Sequence, residues 1–357
     1  MYARSKTNRG SAAMTAFRVG LSADFTRADG KPTFPSYDLS PLAADGVELV
    51  ELPRTAVLAP GHVAGFDAIV LLGERMAASS FPGDGRLALV ARMGVGFDTV
   101  DTAACTANDT ALTITPEAVR RPMATTQVCF ILALAHNLVA KDRIARTGSL
   151  GWPARLDFHG TGLVGRTVGS VGIGNIGAEM FRLLRAFDVR MIAHDPYTDP
   201  ARFAELGVES VPLEAVFERS DFVTFNCPLN DETRGIGSAA LIARMKPTAY
   251  LVNTSRGPVV NQKALYHALV EQRIAGAAID VFDPEPPAAG DPILQLDSVI
   301  TAPHSLGWTD QMFATMGEVN RGAIADVKAG QIPANVVNRA VLERAGFQAK
   351  LAAYAAR

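Results

Sequence analysis

Arg256, Glu285 and His304 are the residue types in this sequence best suited to moving a proton on a small anion. Each follows a short apolar run with the length of a buried strand. Asn253, Thr254, Ser255 and Arg256 follow the run that begins at Ala249. Asp280 to Glu285 follows the run that begins at Ala277. Ala302, Pro303 and His304 follow Val299 to Thr301. In an open parallel α/β sheet, ligands bind outside the carboxyl ends of the strands, so all three segments are expected at one cleft. A histidine titrates near neutral pH and suits a proton donor at a carbonyl oxygen. A carboxylate beside it favours the protonated imidazole and selects its tautomer. An arginine offers a planar fork that grips a carboxylate through two hydrogen bonds. Together the set suits reduction of a 2-oxo acid, with a nicotinamide carrying the redox chemistry. Taken singly, His304 reads equally as a structural histidine, Arg256 as a helix cap or surface partner, and Glu285 as a solvated loop charge. The functional reading rests on their joint position behind a dinucleotide motif.

That motif spans Val168 to Met180. Val168 and Val171 suggest a short buried strand. Gly172, Gly174 and Gly177 follow with the spacing G-x-G-x-x-G, and Met180, Phe181, Leu183, Leu184 and Phe187 then recur at helical spacing. Strand, glycine turn and helix are the context that gives this spacing meaning. Gly172 permits the tight turn, Gly174 admits a pyrophosphate, and Gly177 lets helix and strand pack closely. The next apolar run, from Val189, ends on Asp195, about 20 residues beyond the glycines, where a carboxylate accepts hydrogen bonds from the adenosine ribose. It would also repel a 2′-phosphate, which favours NAD over NADP.

The elements that must position these residues follow from length and composition. A chain of 357 residues with 48% hydrophobic and 20% charged residues describes a globular protein of about two domains. A net charge of −2 gives no bulk attraction to nucleic acid or acidic membranes. The apolar run Val128 to Ala140, broken by His136 and Asn137, is too short to span a bilayer and reads as a core helix. Cys105, Cys129 and Cys227 form neither a disulfide framework nor a zinc pattern, which suits the cytoplasm, and no metal site is expected. Residues 1–14 read as a disordered extension without a signal-peptide core. Strands at Phe17, Val47, Ala68 and Leu87 alternate with helix-length connections over residues 15–120, giving a first parallel-sheet domain. Thr125 to Val139 is read as the helix crossing to the second domain, residues 121–309, whose strands begin at Val168, Val189, Phe222, Ala249, Ala277 and Val299. Residues 310–340 return to the first domain, and 341–357 form a tail. The expected architecture is two Rossmann-like, doubly wound parallel sheets, the first discontinuous and flavodoxin-like, with the second inserted in it.

These pieces, together with Gly94 to Asp98, His194 to Pro196, Leu251 to Gly257, Ile279 to Pro286 and Ala302 to His304, resemble the D-isomer-specific, NAD-dependent 2-hydroxyacid dehydrogenase family over about residues 15–340. The resemblance implies hydride transfer between NAD(H) and a small D-2-hydroxy acid/2-oxo acid pair. It implies that Arg256 holds the substrate carboxylate and polarises the carbonyl, that Glu285 pairs with His304, and that His304 is the acid/base. Val95 and Gly96 would offer backbone N–H groups to the substrate. Asn175 and Ile176 would contact the pyrophosphate. Asn226, Cys227 and Pro228 would form the loop beside the cofactor, with Thr254 and Asp280 also on the cofactor side, Asp280 at the nicotinamide carboxamide. A homodimer through the cofactor domain is implied as well, and the apolar segment Leu150, Trp152, Leu156 and Phe158 is the expected contact.

The chain departs from the family pattern in two places. Val-Ala-Glu commonly opens the interdomain helix, whereas Met123, Ala124 and Thr125 stand here; Thr125 or Thr126 remains able to donate to a cofactor phosphate. Two glycines commonly follow the histidine, whereas Ser305 and Leu306 precede Gly307 and Trp308 here. Substrate identity therefore does not carry over. Two rival readings are a formate dehydrogenase-like enzyme, for which glutamine is implied at position 285, and an NAD-binding corepressor-like scaffold without catalysis.

Overall fold

Apolar runs of four or five residues, rich in Val, Ile, Leu and Ala and separated by helices, can bury both faces only in parallel sheets with helices on either side. The computed structural model, which describes residues 16–356, has two such sheets. The extension expected at residues 1–14 lies outside the described residues.

The first sheet contains β1 (Phe17–Leu21), β2 (Val47–Glu51), β3 (Ala68–Leu71), β4 (Leu89–Arg92) and β5 (Ala111–Thr113) in the order β2-β1-β3-β4-β5, every pair parallel. This is the flavodoxin-like order. Val63, Ile69, Leu71, Val90 and Leu112 lie in one buried cluster. Sequence pattern alone offers four strands here; β5 is three residues long, too short to show a period.

The second sheet contains β6 (Thr167–Val171), β7 (Arg190–His194), β8 (Glu209–Ser210), β9 (Phe222–Phe225), β10 (Tyr250–Asn253), β11 (Gly276–Ile279) and β12 (Val299–Thr301). Its order is β12-β11-β10-β9-β6-β7-β8, again parallel throughout. Successive residues alternate between two cores. Val168, Phe222 and Val252 pack with Phe130, Ile131 and Phe181 on one face, and Val223, Phe225 and Leu251 pack with Phe217 and Leu265 on the other. The strand order reverses between β6 and β9, the switch point where this fold class binds ligands.

The chain divides into one unit that runs through Val119 and resumes at Thr309, and another from Arg120 to Trp308. The helix Pro116–Ala135 contains the first boundary. It begins well before Thr125 and stops short of Val139, because Asn137 adopts φ +52° and the chain restarts as the helix Leu138–Arg146 at 59° to the first. Among the described residues, no single helix is long and apolar enough to cross a membrane.

In the first unit the C-terminal return is tied to β5. Leu112 N–H donates to Oδ1 of Asn338 over 2.8 Å, and Val337 N–H donates to the Leu112 carbonyl over 2.9 Å. The segment read from sequence as a tail contains the helix Ala345–Ala355, whose Phe347, Leu351 and Tyr354 are buried at i, i+4, i+7 spacing. The Tyr354 ring packs edge-on against Phe17. This helix is part of the first unit rather than an appendage.

Candidate active site

The glycine turn begins where β6 ends. Gly172 has φ +92°, and a Cβ there would stand 2.8 Å from the carbonyl carbon of Asn226 and the amide nitrogen of Cys227, so only glycine fits. A Cβ on Gly177 would stand 3.1 Å from the Gly172 carbonyl oxygen and 3.2 Å from the Asn226 side chain. Gly174 differs: it is exposed, caps the helix Asn175–Leu184 with no side-chain hydrogen bond, and a Cβ there would meet nothing within 4 Å. Gly172 and Gly177 therefore serve packing. Gly174, Asn175 and Ile176 present helix-terminal N–H groups with room for an anion, the arrangement a dinucleotide pyrophosphate requires.

Asp195 follows β7. Its Oδ2 accepts the Ile173 N–H over 2.9 Å and its Oδ1 accepts the Tyr197 N–H over 3.0 Å. The carboxylate is thus tied to the glycine turn itself, a contact that spacing alone does not reveal. These donor sets fit an NAD cofactor: N–H groups for the phosphates and a carboxylate for the ribose hydroxyls.

Asn226, Cys227 and Pro228 follow β9. The Asn226 N–H donates to the Val171 carbonyl over 2.8 Å, which sets the loop beside the glycine turn. Burial, with the charge of Asp195 adding to it, pushes the Cys227 thiol up to about 11, so the thiol is protonated at neutral pH. The Ser255 hydroxyl donates to the Cys227 carbonyl and links this loop to the one after β10.

Thr254 is buried in that loop, and Arg256 lies half-buried beyond it. The Asn253 side chain shapes the turn, donating to the Arg256 carbonyl over 3.0 Å and accepting the Ser255 N–H over 3.1 Å. Gly257 decides how close this turn comes to the next: a Cβ there would stand 1.7 Å from the Phe282 carbonyl oxygen. Only glycine lets the Arg256 segment lie against the Phe282–Glu285 segment. Gly257 is not among the site residues expected from sequence, although a glycine directly after a candidate arginine is a usable signal.

Asp280 follows β11 and is buried, and burial raises its carboxyl above the ordinary range. Its carbonyl accepts the His304 N–H over 2.8 Å, and its Oδ1 accepts the N–H groups of Ser305 and Leu306 over 3.1 and 3.3 Å. Asp280 therefore positions the histidine turn whatever else it binds. His304 has φ +52°, a conformation uncommon outside glycine and a local strain of the kind found at functional sites. Its Nδ1 meets Oε1 of Glu285. Burial pushes the Glu285 carboxyl up, but the hydrogen bond and charge of His304, the Phe282 N–H and the charge of Arg256 outweigh it, and the net direction is down. Glu285 is then a carboxylate at neutral pH and accepts from Nδ1–H, leaving Nε2 as the second ring nitrogen.

Three candidates lie on other segments. Thr126 is buried on the helix Pro116–Ala135, and its hydroxyl donates to the Pro122 carbonyl over 3.0 Å. Val95 and Gly96 belong to the other unit, in the turn after β4, where Gly94 N–H donates to Oγ1 of buried Thr115 over 2.9 Å. Gln127, whose side chain pairs with Asn226, carries no sequence signal that marks it out. Among the described residues, no cluster of His, Cys, Asp and Glu has the arrangement of a metal site.

Comparison with known proteins identifies the family. Residues 128–305 match the family model of the D-isomer specific 2-hydroxyacid dehydrogenase NAD binding domain. A glyoxylate reductase of Korarchaeum cryptofilum is 38% identical over 303 residues, covering 84% of this chain and 91% of that one. A glyoxylate reductase of Pyrococcus furiosus is 35% identical over 299 residues, covering 82% and 88%. A crystal structure of a Thermus thermophilus protein superposes with a TM-score of 0.77 at 28% identity, over 90% of this chain and 99% of that one. The chain belongs to the D-isomer specific 2-hydroxyacid dehydrogenase family and is an NAD-dependent oxidoreductase of 2-hydroxy and 2-oxo acids.

Proposed function

We propose that the protein interconverts a small 2-oxo acid of the glyoxylate and hydroxypyruvate class and its D-2-hydroxy acid, with Arg256, Glu285 and His304 as the catalytic residues. The observation that carries this reading is the His304–Glu285 pair, with the Arg256 charge felt at Glu285, at the ends of three neighbouring strands. NADH, when bound, supplies the hydride that reaches the carbonyl carbon. Arg256 grips the substrate carboxylate and polarises the neighbouring carbonyl. Nε2 of His304 gives its proton to the carbonyl oxygen as negative charge develops there, and takes it back in the oxidative direction. Glu285, held as a carboxylate, favours the imidazolium before transfer and holds Nε2 toward the substrate. The N–H groups of Val95 and Gly96 are assigned to the substrate, as the family resemblance implies. A carboxylate rather than an amide at position 285 favours this acid–base reading over hydride transfer alone. The relatives named glyoxylate reductase support a small substrate.

On the cofactor side, the reading assigns the pyrophosphate to Gly174, Asn175 and Ile176, with Thr126 beside it, and the ribose to Asp195, with a preference for NADH over NADPH. Asn226, Cys227, Pro228, Thr254 and Asp280 are assigned the nicotinamide side. The protein is further assigned to the cytoplasm, supported by three free cysteines, and to a homodimer, supported by exposed Leu150, Trp152 and Leu156. The deciding experiment is loss of 2-oxo acid reduction in His304→Ala with NADH binding retained. A variant that reduces glyoxylate and hydroxypyruvate at near the parent rate overturns the assignment.

A further inference from the structure

A relay of hydrogen bonds runs from the helix Pro116–Ala135 to the glycine turn. Gln127 is 1% exposed. Its Nε2 donates to Oδ1 of Asn226 over 2.7 Å, and Nδ2 of Asn226 returns a bond to Oε1 of Gln127 over 3.1 Å. Nδ2 also donates to Oγ of Ser170 over 2.9 Å, and that hydroxyl donates to the Gly172 carbonyl over 2.6 Å. Asn226 thereby uses both amide hydrogens and its carbonyl oxygen, and it is the residue against which Gly172 and Gly177 pack. Residues 99 positions apart in the chain are joined edge to edge in a reciprocal amide pair.

A leucine at position 127 would extend the apolar surface already formed by Phe130 and Ile131 on the same helix. Burying two amides instead costs their hydration, recovered only while every bond in the relay is made. Fully satisfied, such networks rigidify their surroundings and hold one arrangement against close alternatives. Here the arrangement held is the separation between the Gly172–Gly177 turn and the Asn226–Pro228 loop.

We propose that Gln127 is a positioning residue for the nucleotide site: by clamping Asn226 it sets the gap between these two loops and so the affinity for NADH. This rests on the reading that both loops contact the cofactor. Gln127 is buried and bonded to Asn226, so its removal acts on cofactor affinity and not on the proton transfer at His304.

The test is titration of NADH onto the full-length protein without substrate, followed by nicotinamide fluorescence, alongside steady-state rates and melting temperatures. Gln127→Leu removes both bonds to Asn226, and NADH binding is expected to weaken about 10-fold, with kcat at saturating NADH within about 3-fold of the parent. Gln127→Glu still accepts from Nδ2 of Asn226 but has no amide to give back, and it falls between parent and Gln127→Leu. Ser170→Ala cuts the relay at its other end and serves with Gln127→Glu if Gln127→Leu does not fold. Weakened NADH binding in these variants supports the proposal; unchanged affinity in them overturns it, whatever happens to the melting temperature. A parent protein that binds no NADH overturns the cofactor reading as well, whereas a parent that binds it and variants that bind equally overturn the role of Gln127 alone.

Discussion

Glu285 and His304 meet through Oε1 and Nδ1, 19 residues apart in sequence, and His304 reaches that contact from a left-handed backbone conformation. The Asp280 carbonyl holds the His304 N–H, and the Asp280 carboxylate holds the two residues that follow. The imidazole is therefore fixed from its backbone as well as from its partner.

Replacing His304 by alanine removes the proposed proton donor and leaves the glycine turn and Asp195 in place. kcat for reduction of glyoxylate or hydroxypyruvate is expected to fall on the order of 100-fold or more. NADH binding, followed by fluorescence, should stay within about 3-fold. A loss of only a few-fold in kcat removes His304 from the mechanism.

Glu285→Gln keeps the shape and discards the charge. The carboxyl of Glu285 lies below its ordinary range, so in the parent it stays ionised through neutral and mildly acidic pH, and its support of the imidazolium is lost only as pH falls through that lowered value. In the variant the support is missing at every pH. Reduction should be slower by about 10-fold at neutral pH, and the deficit should shrink as pH falls through that lowered value, where the parent loses the same charge. Parallel pH profiles for parent and variant contradict this role.

Asp195 is expected to favour NADH. The measurement is kcat/KM for NADH and NADPH, in the parent and in Asp195→Asn. The parent should prefer NADH by at least about 10-fold, and Asp195→Asn should narrow that ratio, because the charge opposing a 2′-phosphate is gone. Since Asp195 also accepts the Ile173 N–H, Asp195→Ala should weaken both cofactors together. Equal efficiencies with the two cofactors in the parent reject the preference.

Lys350 gives the first unit a pH-dependent stability. Its Nζ donates to the carbonyls of Leu87, Asn108 and Asp109 over 2.7, 2.8 and 2.9 Å. Burial pushes it down to about 8 from 10.5, against the charges of Asp109 and Asp84. Between those values the folded chain releases a proton that the unfolded chain keeps, so this group adds stability as pH rises. Lys350→Met should lower the melting temperature at neutral pH through the orphaned carbonyls, and should lack the parent's gain between about pH 8 and 10.5. The same pH slope in both proteins rules out this ionisation.

Trp152 is 56% exposed and Leu150 is 91% exposed, with the Arg155 guanidinium 5.2 Å from the Trp152 ring. Light scattering at micromolar concentration is expected to give a dimer mass, and Trp152→Glu with Leu150→Glu to shift it toward the monomer. A monomeric parent excludes the homodimer.

The dinucleotide turn was legible in the sequence because its chemistry is local. Gly172 needs a positive φ, Gly174 needs open space, and Asp195 must close the next strand, and each requirement selects a residue type at a fixed offset. The positions of Arg256, Glu285 and His304 after successive strands were legible because each follows a short apolar run. Other features were decided only when distant segments packed. The pairing of Gln127 with Asn226 and of Asn338 with Leu112 joins residues with no local signature. The short strands β5 and β8 show no period to read, and the helix read from sequence as running to Val139 breaks at Asn137. Local backbone demands write themselves into residue type, whereas partner choice between buried polar groups depends on which surfaces the folded sheets bring together.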